Sequence, residues 1–250
     1  MNAAHFTSVL RLADNALILG QRLSEWCGHS PFLEEDIAMA NTALDHIGRA
    51  RMLYTHAGAL EGRGRDEDAL AFLRDEREFG NFLICELPIG DYAFTLVRQY
   101  LLDVYHEHLF SALTASTDAT LAAIAAKAVK ESAYHVRRSG DWVVRLGDGT
   151  EESNRRAQDA LDELWAYTTE LFVPDAVDLA MQAAGVTPDP SAIETRWRAD
   201  VGALLATATL VIPSADWQPR GGREGLHTEH MGRLLAEMQI IQRSHPGLVW

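Results

Sequence analysis

The chain has 250 residues, of which 47% are hydrophobic and 23% charged, and this balance excludes a disordered, collagenous or low-complexity protein. A single hydrophobic core can serve a chain of this length, so we predict one domain over residues 1–250. The formal net charge of -14 argues against nucleic acid and anionic membranes as partners.

The two cysteines, Cys27 and Cys85, form no paired spacing, which argues against a disulfide framework or a thiolate zinc site. No run reaches the roughly 20 apolar residues that a membrane span needs. The sequence does not start with a basic segment followed by an apolar one, the pattern of a secretory signal. We therefore expect a soluble, cytoplasmic protein, and its 10 histidines leave metal binding open.

The first third of the chain predicts a helical hairpin. A helix over residues 7–27 ends at a Gly, Ser and Pro cluster, and a second helix covers residues 32–60 before two glycines. The first helix has an apolar stripe of Leu12, Ala16, Leu19, Leu23 and Trp26. The second has a stripe of Leu33, Ile37, Ala40, Leu44, Ile47 and Tyr54.

Residues 66–79 form a charged short helix or arm, and we expect the charged side chains of residues 74–78 to be mostly solvated. After the break at residues 88–90, Asp91 is placed to cap a helix over residues 91–115, and Asp118 to cap another over residues 118–146. Two long hairpins predict an all-α, ferritin-like four-helix bundle. Additional helices are predicted within residues 152–244, at 152–172, 175–184, 191–207 and 226–244.

A di-iron centre in such a bundle takes one Glu from each of two helices and a Glu-x-x-His from each of the other two. The one literal match here, Glu224 to His227, lies in the C-terminal tail. Asp103 to His106 is an Asp variant on the third helix, and on the fourth helix Ser132 stands three residues before His135.

The second helix offers Asp45, His46 and Arg49 at the corresponding depth, and Arg49 is a cation where a metal ion would sit. These positions predict a buried polar layer that satisfies itself and binds no iron.

Four segments carry a family resemblance: Arg22 to His29, Arg74 to Arg77, Lys130 to His135 and Gly225 to His230. The chain resembles the C subunits of bacterial ring 1,2-phenylacetyl-CoA epoxidase (monooxygenase) complexes over essentially its whole length. The resemblance implies a ferritin-like, non-catalytic structural subunit without its own cofactor. It pairs with a homologous di-iron A subunit that binds the CoA thioester, and with other subunits of the oxygenase. Arg49, Asp103, Ser132 and His135 would then be degenerate metal-site positions.

Two features of the tail could serve a partner. The loop with Arg220 and Arg223 could hold a CoA phosphate or an acidic partner face, although a solvated loop is the simpler interpretation. His227 and His230 could form a surface metal site, whereas the simpler interpretation has this segment cap and pack the last helix.

Two other functions are compatible with the sequence. An autonomous di-metal oxygenase or oxidase would draw its ligands from Asp103, His106, His135, Glu131 and the pair Glu25 and His29. A homo-oligomeric helical scaffold would need no dedicated partner. We also expect the isolated chain to self-associate through its partner-binding face.

Overall fold

The computed structural model describes residues 3–214 and 217–248. It divides into two compact units, one formed by Met1–Pro88 with Arg220–Trp250 and the other by Ile89–Pro219. The described residues form α-helices, short 3-10 turns and loops, without a β-strand. The predicted all-α class, with two long hairpins of the ferritin-like type and additional C-terminal helices, is confirmed. The single domain over residues 1–250 stays a prediction.

The first unit is built on a hairpin of α1 (Ala3–Ser24) and α2 (Leu33–Glu61). Three shorter helices complete the unit: α3 (Glu67–Phe72), α4 (Leu83–Glu86) and α10 (Glu229–Ser244). The α10 helix packs against α3 and α4, so the C-terminal segment belongs to this unit. Gly62 ends α2 in the left-handed conformation (φ 67°), and its amide donates to the Gly58 carbonyl at 3.0 Å.

Three residues of the predicted apolar stripe of α2 are directed away from the core, whereas Tyr54 of the same stripe is buried. Leu33, Ile37 and Leu44 are 72%, 53% and 62% exposed, so the expectation that they form the packed face is wrong. The buried face of α2 is mixed, because polar side chains find partners there. It consists of Met39, Thr42, Ala43, His46, Arg49, Ala50, Leu53, Tyr54, Ala57 and Gly58.

The segment after α2 is more ordered than its charge suggests. Asp66 caps α3 by accepting from the Ala69 amide at 2.8 Å, and a 3-10 turn covers Glu76–Glu78. Arg74 is buried, whereas residues 75–78 are exposed. Among residues 74–78, the expectation of a solvated side chain is therefore wrong for Arg74 alone, because its guanidinium pairs with a buried carboxylate.

The second unit contains α5 (Tyr92–Leu113), α6 (Ala119–Gly147), α7 (Glu151–Leu164), α8 (Ala176–Ala183) and α9 (Pro190–Thr207). Both predicted caps are confirmed. Asp91 accepts from the Phe94 amide at 2.8 Å, and Asp118 from the Thr120 amide at 2.9 Å. The α5 helix contacts α6, α7 and α9, and most of its residues are buried.

The predicted helix over residues 152–172 changes character midway. It is α-helical to Leu164 and continues as a 3-10 helix over Trp165–Leu171. The tighter winding accompanies an aromatic cluster, in which Trp197 lies 5.5 Å from Trp165 and 5.2 Å from Phe172 between ring centroids. The Trp197 indole also donates to the Leu101 carbonyl at 2.8 Å.

None of the helices in the described ranges combines the length and apolar character needed to cross a membrane.

Candidate functional site

A buried polar layer lies midway along the α5 and α6 hairpin of the second unit. The Asp103 carboxylate accepts from Gln99 Nε2 at 2.6 Å and from Ser139 Oγ at 2.8 Å. His135 Nδ1 lies 4.0 Å from the same carboxylate. Asp103, His135 and Ser139 are each at most 2% exposed. A buried polar network exists in this hairpin, and each oxygen of the Asp103 carboxylate accepts one hydrogen bond. The self-satisfying layer that binds no iron stays a prediction.

Ser132 lies one turn before His135 on the buried face of α6. Its side chain is 1% exposed, and its hydroxyl oxygen makes no hydrogen bond with a described residue. A hydroxyl at this point supplies neither the charge nor the bidentate reach of a Glu carboxylate. The imidazole of His135 therefore has no carboxylate three residues before it.

The corresponding part of α2, in the first unit, carries a buried cation. Arg49 is 1% exposed and His46 is fully buried, whereas Asp45 is only half-buried. Three residues after Asp45 comes Gly48, and three after His46 comes Arg49, so this helix has no carboxylate and imidazole at metal spacing. A guanidinium repels a metal ion and donates where a ligand must accept.

The donor set does not fit a carboxylate-bridged di-iron centre. Such a centre needs four inward carboxylates and two histidines in Glu-x-x-His spacing. The described long helices carry Asp103 with His106 at that spacing, but Ser132 replaces the carboxylate before His135. The absence of iron from this chain stays a prediction.

Other ligands considered for an autonomous metal site have partners of their own. Glu131 lies 3.5 Å from Lys127 on α6, and its side chain is 15% exposed. Glu25 accepts from Arg22 at 2.6 Å, and His29 Nδ1 lies 3.1 Å from a backbone carbonyl of the preceding turn.

The first unit has a buried ion pair that sequence reasoning missed. Arg74 forms two hydrogen bonds with the Asp14 carboxylate, and Tyr54 donates to Asp14 at 2.7 Å. The Gly80 amide donates to Asp14 at 2.8 Å. Burial raises the pKa of Tyr54 well above its usual value, and the Asp14 charge raises this pKa further. The available signal was Asp14 itself, the one charged residue between Arg11 and Arg22.

A second buried pair joins the C-terminal segment to α4. Glu86 is fully buried and accepts from His227 Nδ1 at 2.7 Å, Asn81 Nδ2 at 2.8 Å and the Thr228 amide at 2.6 Å. His227 Nε2 lies 3.0 Å from the Phe79 carbonyl. Because both ring nitrogens face acceptors, the geometry fits the protonated imidazolium.

The environment of His227 alters its pKa in opposing directions. Burial lowers the pKa, but the hydrogen bond and charge of Glu86 and the Phe79 carbonyl together raise it above the ordinary value. His227 therefore helps to pack the last helix, α10, against the unit, and Thr228 is the N-cap of that helix. The suggested surface metal site is wrong for His227, because its ring is directed at Glu86 and is fully buried.

The two arginines of the tail loop differ in position. Arg220 is exposed, whereas Arg223 is half-buried, with its guanidinium carbon 5.5 Å from the centre of the Phe82 ring. The carbonyl of Arg223 accepts from Arg11 at 2.9 Å. The loop is thus tied to α1 through its backbone.

The long hairpins define an all-α protein of the ferritin-like class, and among the described long helices Glu-x-x-His spacing does not occur. The whole chain, residues 1–250, matches the model of the family described as Phenylacetic acid catabolic protein, and the chain belongs to that family.

The chain is similar to the C subunit of the 1,2-phenylacetyl-CoA epoxidase of Escherichia coli (strain K12). The two are 50% identical over 241 residues, which span 96% of this chain and 97% of that protein. The resemblance predicted from the four sequence segments is confirmed.

Proposed function

We propose that this chain is a non-catalytic structural subunit of a multicomponent epoxidase that acts on phenylacetyl-CoA in phenylacetate degradation. It pairs with a homologous catalytic subunit that carries the di-iron centre and the CoA thioester site. The 50% identity to the E. coli epoxidase subunit over nearly the whole of both chains carries this proposal.

The polar layer of α5 and α6 supports the non-catalytic part of the proposal. The position three residues before His135 is Ser132, which supplies no carboxylate, and each Asp103 oxygen accepts a hydrogen bond, one from Gln99 and one from Ser139. The layer instead holds the two helices together, because each buried polar group that is satisfied fixes the register of its helix. Asp103 and His135 would be remnants of a metal site with a structural role.

Two expectations from the sequence remain part of this proposal. CoA thioesters carry several phosphate charges and do not cross membranes unaided, so the subunit would act in the cytoplasm. Arg220 and Arg223 would contact an acidic face of a partner or a CoA phosphate, with the exposed Arg220 as the stronger candidate.

Metal analysis of the purified chain tests the non-catalytic role. We expect far less than one iron per chain and no oxygen uptake by the chain alone. Stoichiometric iron together with oxygen uptake would instead establish the autonomous di-metal oxygenase.

Co-expression tests the role as a subunit. The partner is the homologous subunit from the same genome that carries two intact Glu-x-x-His motifs, and the readouts are size exclusion and mass spectrometry of the phenylacetyl-CoA product. We expect a stable complex, and epoxidation that requires both chains with the other oxygenase components present. A catalytic subunit that retains full activity without this chain would refute the proposal.

A further inference from the structure

An apolar stripe on α2 faces solvent and has no packing role in the described structure. Leu33, Ile37 and Leu44 are each more than half exposed, and Ala40 and Gly48 lie between and beyond them on the same face. At 100° per residue these five positions span an arc of about 80°, and they extend about 22 Å along the helix. The opposite face of α2 supplies the buried residues, so the stripe is not needed for the protein's own core.

The small residues of the stripe permit close approach by another helix. A Cβ atom added at Gly48 would meet no atom of the described residues within 4 Å. Glycine weakens a helix interior, and nothing within the chain requires it at this point. Small side chains among larger apolar ones are what a second helix needs in order to pack closely.

The borders of the stripe are acidic. Glu34 and Asp45 lie on one edge and Asp36 on the other, and residues 23–48 contain no Lys or Arg. Of the arginines nearest in sequence, Arg22 and Arg49 are buried, and the exposed Arg51, one turn beyond Gly48, lies 3.3 Å from Glu67. Antiparallel pairing of this stripe with a second copy would bring the edge that carries Glu34 and Asp45 against the same edge of the other chain, where carboxylates would face carboxylates, which is unfavourable.

We propose that this stripe is the docking face for the homologous catalytic subunit, which would present a helix with an apolar stripe bordered by Lys or Arg. The inference rests on the proposed function and names the surface through which that pairing occurs. A basic border on the partner complements the acidic border here and speeds association, whereas the acidic border itself disfavours the self-association expected from the sequence.

Lysine substitutions in the stripe test the inference. Ile37→Lys and Leu44→Lys replace exposed side chains, so each variant should fold like the wild type. We expect each to weaken binding to the co-expressed catalytic subunit by about 10- to 100-fold, because burial of one large aliphatic side chain is lost. Leu179→Lys on α8 is the matched control, since Leu179 is 55% exposed, and it should bind like the wild type.

The affinities are measured by biolayer interferometry with the purified catalytic subunit, and the isolated chains are sized by light scattering. Wild-type association should slow as salt is raised, and Glu34→Lys should slow it further. If the stripe variants bind the catalytic subunit as tightly as L179K, the docking-face inference is refuted and the proposed function is unaffected. If the stripe variants convert a homo-oligomer into monomers but still bind the catalytic subunit, the stripe is a self-association surface and the docking-face inference is also refuted. A wild-type chain with no affinity for the catalytic subunit overturns both proposals.

Discussion

The buried pair of Glu86 and His227 makes the stability of the first unit depend on pH. Replacement by His227→Ala leaves the Glu86 carboxylate buried without its counter-charge, although Asn81 and the Thr228 amide still donate to it. The Phe79 carbonyl also loses the imidazole that it faces at 3.0 Å. Removal of one partner from a buried ion pair costs about 3 to 5 kcal/mol, and we expect a loss of this size in the free energy of unfolding.

The dependence on pH follows from the direction of the pKa shift. The folded pKa of His227 is raised, while the unfolded value is about 6.5. The stabilisation is therefore complete below about pH 6.5 and is lost as the pH rises through the folded pKa. The difference in unfolding free energy between wild type and H227A should be larger at about pH 6 than at about pH 9.

Urea unfolding followed by circular dichroism at both pH values measures this difference in the full chain. His230→Ala is the control, because His230 is three residues away and its imidazole makes no hydrogen bond with a described residue. This control should cost less than about 1 kcal/mol. If H227A lowers the free energy of unfolding equally at both pH values, the charged pair is refuted. If H227A and H230A lower it equally, the contribution of the His227 and Glu86 pair to stability is refuted.

Three further outcomes follow from the packing. Asp14→Asn should cost about 3 to 5 kcal/mol in urea unfolding because it leaves the Arg74 charge buried, whereas Arg51→Met, which breaks an exposed pair with Glu67, should cost less than about 1 kcal/mol. Gly147→Ala should destabilise the second unit, since a Cβ there would lie 2.1 Å from the Ala208 carbonyl oxygen, and Gly202→Ala, with open space around it, should raise the melting temperature. Ser132→Glu should leave the iron content, measured by mass spectrometry, at trace level, because one added carboxylate does not complete a di-iron donor set; stoichiometric iron in S132E would contradict this.

The sequence predicted the local features well where neighbouring residues decide them. The caps at Asp91 and Asp118 require only a carboxylate beside the first helical amides, and both helices begin within one residue of the expected position. The stripe of α6 with Ser132, His135 and Ser139 is buried as its spacing predicted. The missing carboxylate before His135 was also visible in the sequence, because residues three apart share a helix face.

Contacts between segments that are distant in sequence cannot be predicted from local residue spacing. Asp14 and Arg74 are 60 positions apart, and Glu86 and His227 are 141 apart, so no spacing rule relates them. Burial of these charges depends on whether a partner arrives from elsewhere in the chain, which the local pattern does not reveal.

Hydrogen bonds and side-chain contacts within a few residues set the helical class, the hairpins, the caps and the spacing around His135, so these features follow from local sequence. Which face of α2 is buried depends on contacts with other elements of the unit. Leu33, Ile37 and Leu44 of the predicted stripe are exposed, yet the opposite face is buried with His46 and Arg49. A hydrophobic pattern indicates that a face will be covered, but the covering surface can belong to another protein, and polar groups are buried where the fold supplies their partners.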